Sequence, residues 1–294
     1  MSELARSAWY FFTKYFISLL PNPLFVNFIF MVNAFRLRRP YYWVNINNPK
    51  TFTEKMNWLK LNQPPVGADV LADKYLVRNY VERIIGGEYL VQLLAVYESA
   101  HQIQYEQLPQ QFVLKANHGS GWNIICEDKS TLDRDRVTEN FTKWLKRNPF
   151  YISKESQYKE IKPLIVCESF LGTNINDYKL FCFKGDVKLI QVDLNRFNNH
   201  RRNFYTPDWK LLDIEMVYRK HNQAVEKPEQ LNDMILNAEK LSKDCDFVRV
   251  DFYCVNNIIY FGEMTFFPEG GFGPFDSYDS DLIVGNLLII DNLS

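Results

Sequence analysis

Two strongly apolar stretches begin the chain, residues 8–20 and 24–32, and Pro21 and Pro23 separate them. Neither reaches the roughly 20 continuous apolar residues that a membrane-spanning helix needs, and Lys14 interrupts the first. Both stretches therefore predict helices, either packed on the body of the protein or lying in a membrane interface. Packing on the body is the favoured alternative, because buried helices commonly show this pattern.

Helical periodicity resumes after residue 50. Thr51 and Glu54 have the spacing of a capping box, so a helix is expected to begin there. Asp73 is expected to cap a second helix with one apolar face, which Gly86-Gly87 would end. Later helices are predicted over 131–147 and 228–243.

Most of the remaining chain has the composition of strands. Short polar turns at Lys184-Gly185-Asp186 and Asn256-Asn257 predict two β-hairpins. Helices and strands interleave without the regular βαβ rhythm of a doubly wound sheet, so the expected fold class is α+β with antiparallel sheets. The predicted strands are 89–96, 111–116, 122–126, 163–168, 178–183, 187–193, 202–206, 247–255 and 258–265.

Composition and charge exclude several classes of protein. The chain has 294 residues, 47% hydrophobic and 16% aromatic, which rules out a disordered or fibrous protein. Lys and Arg total 34 and Asp and Glu 35, so no global basic field exists to hold a nucleic acid. A local basic cluster of Arg196, Arg201 and Arg202 is a candidate anion site.

The cysteines indicate the redox compartment. Five of them are scattered through apolar runs, with no Cys-x-x-Cys pair and no histidine at metal-ligand spacing. This pattern predicts buried free thiols in a reducing cytoplasm and makes zinc an unfavoured ligand. The cysteines are Cys126, Cys167, Cys182, Cys245 and Cys254.

A strand ending in Lys115 leads through a small, flexible loop, residues 117–121, into a second strand. Such loops can bring backbone N–H groups onto phosphate oxygens while a lysine neutralises charge nearby. The alternative is an ordinary hairpin with a solvated lysine. The loop consists of Asn117, His118, Gly119, Ser120 and Gly121.

Acidic residues also occur inside two apolar strands, where they cost free energy unless they are paired or bind a metal. Arg249 and Asp251 share one face of their strand, and Glu263 and Thr265 share one face of the next. A two-residue turn would place Asp251 and Glu263 on opposite faces, whereas a three-residue turn would pair them and let them share Mg²⁺. The alternative to a metal site is an Arg–Asp surface ion pair with an unrelated Glu.

Glu168 closes a third predicted strand, and Asp177 and Lys179 follow a few residues later. A carboxylate at a strand end can accept hydrogen bonds from a ribose or an amino group. A solvated strand terminus is the alternative for this position.

Taken together and in this order, these segments resemble the ATP-grasp superfamily, in particular its TupA-like branch, found with bacterial teichuronopeptide, capsule or O-antigen biosynthesis. They cover most of residues 49–275. The matching stretches are PKTFTEKMNWLKLN (49–62), ADKYLVRNYV (72–81), FVLKANHGSGWNIICEDKSTLD (112–133), CESFLG (167–172), NDYKLFCFKGDVKLIQVDLNR (176–196) and DFVRVDFYCVNNIIYFGEMTFFPEGG (246–271).

The resemblance implies two α+β lobes with antiparallel sheets that grip ATP. The expected division is an aromatic helical segment over 1–66 and an ATP-grasp domain over 67–294, with lobes of about 67–165 and 166–294. The implied roles are phosphate contacts for Lys74, Lys115 and the loop, ribose or adenine contacts for Glu168 and Asp177, Mg²⁺ ligation for Asp251, Glu263 and Thr265, and catalysis by Arg249 and Lys179.

The implied reaction transfers the γ-phosphoryl group of ATP to a carboxylate, and an amine then displaces phosphate from the acyl phosphate. The branch context favours an acidic sugar as the carboxylate and an amino acid as the amine. Two features depart from the superfamily pattern: Thr265 stands where many members carry Asn, and the aromatic N-terminal segment replaces the usual substrate-binding lobe.

Two other classes of function compete with this interpretation. Asp279-Ser280-Asp281 resembles the DxD triplet of glycosyltransferases, which would consume a nucleotide sugar instead of ATP. A non-catalytic nucleotide-binding or membrane-recruiting protein would be favoured by loss of Lys115, Asp251 or Glu263, and all three are present. The expected location is the cytoplasm, with peripheral membrane contact through residues 8–32 as an added alternative.

Overall fold

The computed structural model describes residues 3–173, 175–194, 199–221 and 223–291, so Arg196 of the predicted basic cluster lies outside the described residues. Helices and strands interleave along the chain, as the sequence predicts. The helices are α1 (Glu3–Tyr15), α2 (Asn22–Leu37), α3 (Phe52–Asn62), α4 (Ala68–Ala72), α5 (Val77–Ile84), α6 (Arg134–Trp144), α7 (Phe150–Ser153), α8 (Leu231–Ser242) and α9 (Tyr278–Gly285). The strands are β1 (Leu93–Tyr97), β2 (Phe112–Ala116), β3 (Asn123–Cys126), β4 (Ile165–Ser169), β5 (Asp177–Phe183), β6 (Asp186–Leu194), β7 (Arg201–Tyr205), β8 (Leu211–Leu212), β9 (Phe247–Val255) and β10 (Ile258–Thr265).

The strands form two antiparallel sheets. The smaller sheet has the order β1-β4-β2-β3, and the larger has the order β10-β9-β5-β6-β7-β8. The predicted α+β class with antiparallel sheets is therefore confirmed. Strand β4 pairs with β1 and β2, so residues 166–169 belong with the smaller sheet, although the sequence assigns them to the second lobe. The division into lobes stays a prediction.

The hairpin between β9 and β10 settles the register that the sequence left open. Its turn is the two-residue Asn256-Asn257, and both residues have positive φ, as a type I′ turn requires. A two-residue turn alone would separate the two acidic positions. The register shifts between Phe261 and Glu263, where Gly262 forms a β-bulge, and Asp251 consequently pairs with Glu263. Of the two alternatives for the turn, the two-residue turn is the one observed, and the extra residue that pairs the carboxylates lies inside the strand.

Helix α3 begins as the sequence predicts. Thr51 accepts a hydrogen bond from the Glu54 backbone N–H, and the Glu54 carboxylate accepts one from Thr51 N at 3.0 Å, which completes the capping box. Phe52 then enters the core of the larger sheet, where its ring meets those of Phe181 and Phe247. The capping box thus fixes α3 against the sheet that carries the charged strands.

Helix α5 begins later than predicted, at Val77, while Asp73 caps the turn before it by accepting from the backbone of Tyr75 and Leu76. Its buried face is narrower than expected, because Val77 and Val81 are buried but Leu76 is exposed.

The long polar connection between β3 and β4 contains α6, whose Phe141 and Trp144 pack under the smaller sheet.

The two N-terminal apolar stretches form α1 and α2. Helix α2 packs on the body, and its buried side chains include Phe25 and Phe30. Phe25 meets the ring of Phe272 at 6.2 Å, and Asn33 donates to the Phe272 carbonyl at 3.3 Å. Within the described residues, no helix combines the length and the apolar character needed to cross a membrane. Helix α2 therefore follows the favoured alternative of packing on the body.

The carboxylate of Asp281 joins α9 to α3. It is fully buried and accepts hydrogen bonds from Thr53 N at 2.9 Å and from the Tyr42 hydroxyl. Burial raises the pKa of Asp281 to about 6. The folded protein therefore holds this proton more tightly than the unfolded chain does.

The position of Asp281 predicts a specific pH dependence of stability. The pKa of Asp281 is higher in the folded protein than in the unfolded chain, so its protonation stabilises the folded state. This contribution to the free energy of unfolding is full below about pH 4 and is lost as the pH rises through 6, and it amounts to on the order of 3 kcal/mol. Asp281→Asn cannot ionise, so its melting temperature should fall less between pH 5.0 and pH 7.5 than that of the wild type. Calorimetric scans at both pH values measure this difference, and an unchanged pH dependence would contradict it.

Candidate active site

A small ion-pair cluster forms on the smaller sheet, where the register places Lys115 and Glu168 on one face. The Lys115 ammonium lies 2.6 Å from one oxygen of the Glu168 carboxylate, and Arg78 Nη1 lies 3.0 Å from the other. Arg78 also donates to the Val91 carbonyl at 2.8 Å. The structure thus brings two sequence-predicted residues together and adds Arg78 of α5, which lies in the matching stretch 72–81 but received no role from the sequence.

The loop after β2 has an anchored start. Asn117 and His118 are buried, although the sequence expects both to face a ligand. Asn117 donates to Asp73 at 2.8 Å and accepts from Leu164 N at 2.7 Å. His118 bonds to the Arg147 carbonyl, and burial lowers its pKa. These two side chains hold the loop in place because their polar groups are used inside the protein.

The tip of the loop consists of Gly119, Ser120 and Gly121. A Cβ on Gly119 would lie 2.3 Å from the Trp122 ring, and Gly121 has φ of +71°, so both positions favour glycine. The Lys74 ammonium donates to the Gly119 carbonyl at 2.9 Å. Gly119 is buried, whereas Ser120 and Gly121 are exposed, so these two residues of the tip are the part of the predicted loop that remains available to a ligand.

The larger sheet carries a second, denser charge cluster on β5, β9 and β10. Arg249 binds Asp251 through Nε at 2.6 Å and through Nη2 at 2.7 Å. The same Nη2 reaches Glu263 at 3.2 Å and the Thr265 hydroxyl at 3.1 Å. Lys179 lies 2.6 Å from Asp251. This arrangement depends on the Gly262 bulge, which puts Glu263 beside Asp251.

Asp177 belongs to this second cluster and not to the first. Its carboxylate lies 2.7 Å from the Lys179 ammonium and is almost fully buried. The resemblance implies a ribose or adenine contact for both Asp177 and Glu168, but the structure places them in different clusters, since Glu168 lies on the smaller sheet. Lys179 bridges Asp177 and Asp251, and burial opposes its charge, but the two carboxylates more than compensate and raise its pKa.

Lys74 links the loop tip to the second cluster. It lies between α4 and α5, and its ammonium is 3.2 Å from Glu263 as well as bonded to the loop tip. Burial alone would raise the pKa of Glu263, but Lys74, Arg249 and Lys179 outweigh burial and hold that pKa well below its usual range. Glu263 is consequently a permanently charged carboxylate at neutral pH.

A cavity of about 560 Å³ opens in front of the second cluster. Helix α2, which precedes the charged strands by more than a hundred residues, contributes Asn33, Arg36 and Leu37 to its wall. Sequence reasoning did not assign these residues to a site, because a pocket wall depends on tertiary packing. Other lining residues are Ser120, Lys179, Asp193, His200, Arg202, Tyr218, Arg249, Glu263, Thr265 and Glu269.

The acidic triplet near the C-terminus has a structural explanation. Asp281 is buried and bonded to Thr53 and Tyr42, whereas Asp279 is exposed. The two carboxylates do not face a common ligand. The structure therefore gives no support to a nucleotide-sugar site at this triplet.

Two antiparallel sheets, a glycine-containing loop and a cavity lined by lysine, arginine and acidic side chains are the features of an ATP-grasp protein. The sequence model of the TupA-like ATP-grasp family matches residues 54–289, and the chain belongs to that family. The resemblance found from the motifs is thus confirmed. No curated protein matches the sequence significantly.

Several solved ATP-grasp structures are similar to the chain at low sequence identity. The ligase PsnB, solved with Mg, ADP and a variant of its minimal precursor, has 10% identity, a TM-score of 0.42 and coverage of 72% of this chain and 57% of PsnB. D-alanine–D-alanine ligase from Helicobacter pylori has 16% identity and a TM-score of 0.44, and the match covers 82% of this chain and 67% of the ligase. Biotin carboxylase from Campylobacter jejuni has 14% identity and a TM-score of 0.44, and the match covers 82% of this chain and 52% of the carboxylase. The chain spans little more than half the length of PsnB.

The first cluster predicts a defect in nucleotide binding. Lys115→Ala should weaken Mg·ATP binding, since a charge-assisted contact is typically worth about 1.5–3 kcal/mol. Isothermal calorimetry measures the affinity directly. The matched control is Lys162→Ala, whose lysine forms an exposed ion pair with Glu98 in the same half of the chain. Equal ATP affinities for the two variants would count against a phosphate role for Lys115.

Proposed function

We propose that the chain is an ATP- and Mg²⁺-dependent, ADP-forming carboxylate–amine ligase. The observation that carries the proposal is the cluster of Lys179, Arg249, Asp251, Glu263 and Thr265, which faces a cavity beside the loop tip in a chain of the ATP-grasp family. Such a site supplies positioning and charge neutralisation, which are what phosphoryl transfer requires.

The oxygen donors of the second cluster fit Mg²⁺, which in proteins is held by oxygen ligands such as one or two carboxylates, water and substrate phosphates. Glu263 is partly exposed to the cavity, and the Thr265 hydroxyl donates to it at 3.1 Å. Asp251 is buried, and both of its oxygens already bind cations, so its contribution would require Lys179 to move. Within the described residues, no group of three or more His, Cys, Asp or Glu forms a metal cluster, so substrate phosphates would complete the coordination.

In the proposed reaction, a carboxylate oxygen of the substrate attacks the γ-phosphorus of ATP, and the bond to the ADP oxygen breaks. The nitrogen, deprotonated to the neutral amine, then attacks the carbonyl carbon of the acyl phosphate, phosphate leaves, and the nitrogen loses a further proton to solvent to give the amide. Lys74 and Lys115 neutralise phosphate charge, and the tip at Gly119–Gly121 covers the phosphates. Arg249 and Lys179 hold the acidic side chains in position, and Mg²⁺ would neutralise charge that develops between the phosphates.

We propose an acidic sugar as the carboxylate and an amino acid as the amine, in the synthesis of a bacterial surface polysaccharide. The support is the resemblance to the TupA-like branch and the size of the cavity. A volume of about 560 Å³ lies in the usual range for sites that hold small molecules. Five free thiols agree with a cytoplasmic location.

We further propose that the protein contacts an anionic membrane surface through its N-terminal aromatic surface. This surface consists of exposed apolar side chains of the N-terminal segment, and the Lys14 ammonium lies 5.2 Å from the centre of the Tyr15 ring. Exposed apolar groups of this kind, together with basic residues, are typical of interfacial helices. Its members are Phe11, Tyr15, Phe16, Leu19 and Phe35.

The proposed reaction predicts where oxygen atoms travel. With ¹⁸O in the substrate carboxylate, one labelled oxygen should appear in the released inorganic phosphate, because that oxygen stays bonded to phosphorus when the amine attacks. Mass spectrometry of the phosphate measures the label. A crossed panel of uronic acids and amino acids, screened by ADP release, would first supply the substrates.

Glu263→Gln is the matching variant, because it keeps size but removes the charge held between Lys74 and Arg249. Its ADP release should fall at least a hundredfold, since electrostatic groups of this kind typically contribute about 10²–10³ in rate. Label in AMP, or unlabelled phosphate from an active enzyme, would overturn the acyl-phosphate route.

The membrane proposal predicts binding to vesicles that contain acidic phospholipid. Replacing Phe11, Phe16 and Leu19 by Ser should reduce co-sedimentation severalfold, since less apolar surface enters the interface. The matched control replaces Leu236 and Ile258, which are similarly exposed on α8 and β10. If both sets of changes reduce binding equally, the N-terminal surface has no special role.

A further inference from the structure

Glu269 occupies a backbone conformation that glutamate rarely adopts. It lies in the turn Pro268–Gly271 with φ of 54° and ψ of 27°, in the left-handed region, and Gly270 and Gly271 follow with φ of 66° and 77°. Glycine tolerates this region without penalty, whereas a residue with a Cβ does not. A non-glycine residue held there beside a cavity is a candidate for a side chain that function requires at that place.

The surrounding structure holds the turn firmly. From α3, Lys60 donates to the Gly270 carbonyl and Asn57 donates to the Gly271 carbonyl, each at 2.6 Å. Gly273 lies against the Glu269 side chain, and a Cβ on it would come within 2.9 Å of Glu269 Cγ. These contacts fix the direction of the Glu269 side chain, which lines the same cavity as Glu263 and Thr265.

Glu269 shares its paired cation with a second carboxylate. Arg202 is buried and binds Asp193 through Nε at 2.7 Å, and its Nη1 reaches Glu269 Oε1 at 3.0 Å. One guanidinium thus serves two carboxylates. The Asp193 carboxylate is buried, whereas about a third of the Glu269 side chain is exposed to the cavity. Among the described residues, only Oε1 of Glu269 is hydrogen-bonded, so Oε2 is available to a cationic ligand.

We propose that Glu269 binds the ammonium group of the amine substrate. This inference rests on the proposed ligase function, because it places the amine in the cavity that the second charge cluster faces. A carboxylate accepts a charge-assisted hydrogen bond from an ammonium group, and the paired Arg202 keeps Glu269 from turning away. Arg36 of α2 lines the same cavity with the opposite charge. A substrate that carries both an ammonium and a carboxylate group, such as an amino acid, therefore meets a complementary charge for each.

Ligand binding tests this inference without requiring turnover. The probes are the twenty proteinogenic amino acids and their N-acetyl derivatives, measured by ligand-observed NMR on the full chain with Mg·ADP. Free amino acids should bind, and the N-acetyl forms should not, because acetylation removes the positive charge. Glu269→Gln keeps the volume and the bond to Arg202 but loses the charge, so the affinity for the bound amino acid should fall about tenfold or more.

Two controls separate this inference from the proposed function. Glu139→Gln alters an exposed glutamate on α6 that pairs only with Lys143 among the described residues, and it should bind amino acids like the wild type. Mg·ATP affinity, measured by calorimetry, should be the same in all three proteins. Equal amino-acid binding by Glu269→Gln and wild type, equal binding of N-acetyl derivatives, or no amino-acid binding by a wild type that binds ATP would each overturn the role of Glu269. A folded wild type that fails to bind Mg·ATP would instead overturn the proposed ligase function.

Discussion

The neutralisation of Asp251 inside the larger sheet is the interaction on which the candidate site depends. A buried carboxylate is costly unless it is paired, and burial raises the pKa of Asp251 while the bonds to Arg249 and Lys179 limit that rise. The two cations come from neighbouring strands, so the charge cluster forms only when β5, β9 and β10 are all in register. The same pairing that stabilises the sheet therefore also arranges the acidic groups that face the cavity.

Signals from neighbouring residues predicted much of the fold, but they did not predict the pairing register of β9 and β10. The capping box at Thr51 and Glu54 and the Asn256-Asn257 turn depend on neighbouring residues alone, and the sequence located both. The bulge at Gly262 is different, because an isolated glycine in a strand marks a bulge only when its partner strand is known. The pairing of Asp251 with Glu263 was consequently left as one of two alternatives, and the route that the structure takes was neither of those considered.

The sequence predicted the charged residues on the strands of the candidate site but not the residues that line the cavity. Lys115 and Glu168 stand out because they interrupt or end apolar runs, and the structure places them together. Arg78 and Glu269 lie inside matching stretches and Arg36 does not, but none of the three received a role from the sequence, because they reach the clusters or the cavity only through tertiary packing. Asn117 and His118 show the opposite error, since loop residues beside a glycine pair suggest ligand contacts but are used here to anchor the backbone.

The packing of α2 against Phe272 also affects how the chain acquires its shape during synthesis. Asn33 and Phe272 are separated by 239 residues, so α2 leaves the ribosome long before its partner exists. At bacterial or eukaryotic elongation rates of about 5–20 residues per second, this interval is on the order of 10–50 s. During that time Phe25 and Phe30, which the folded protein buries, have no Phe272 to cover them. A nascent chain with this contact order therefore leaves part of an apolar helix uncovered until residue 272 has emerged.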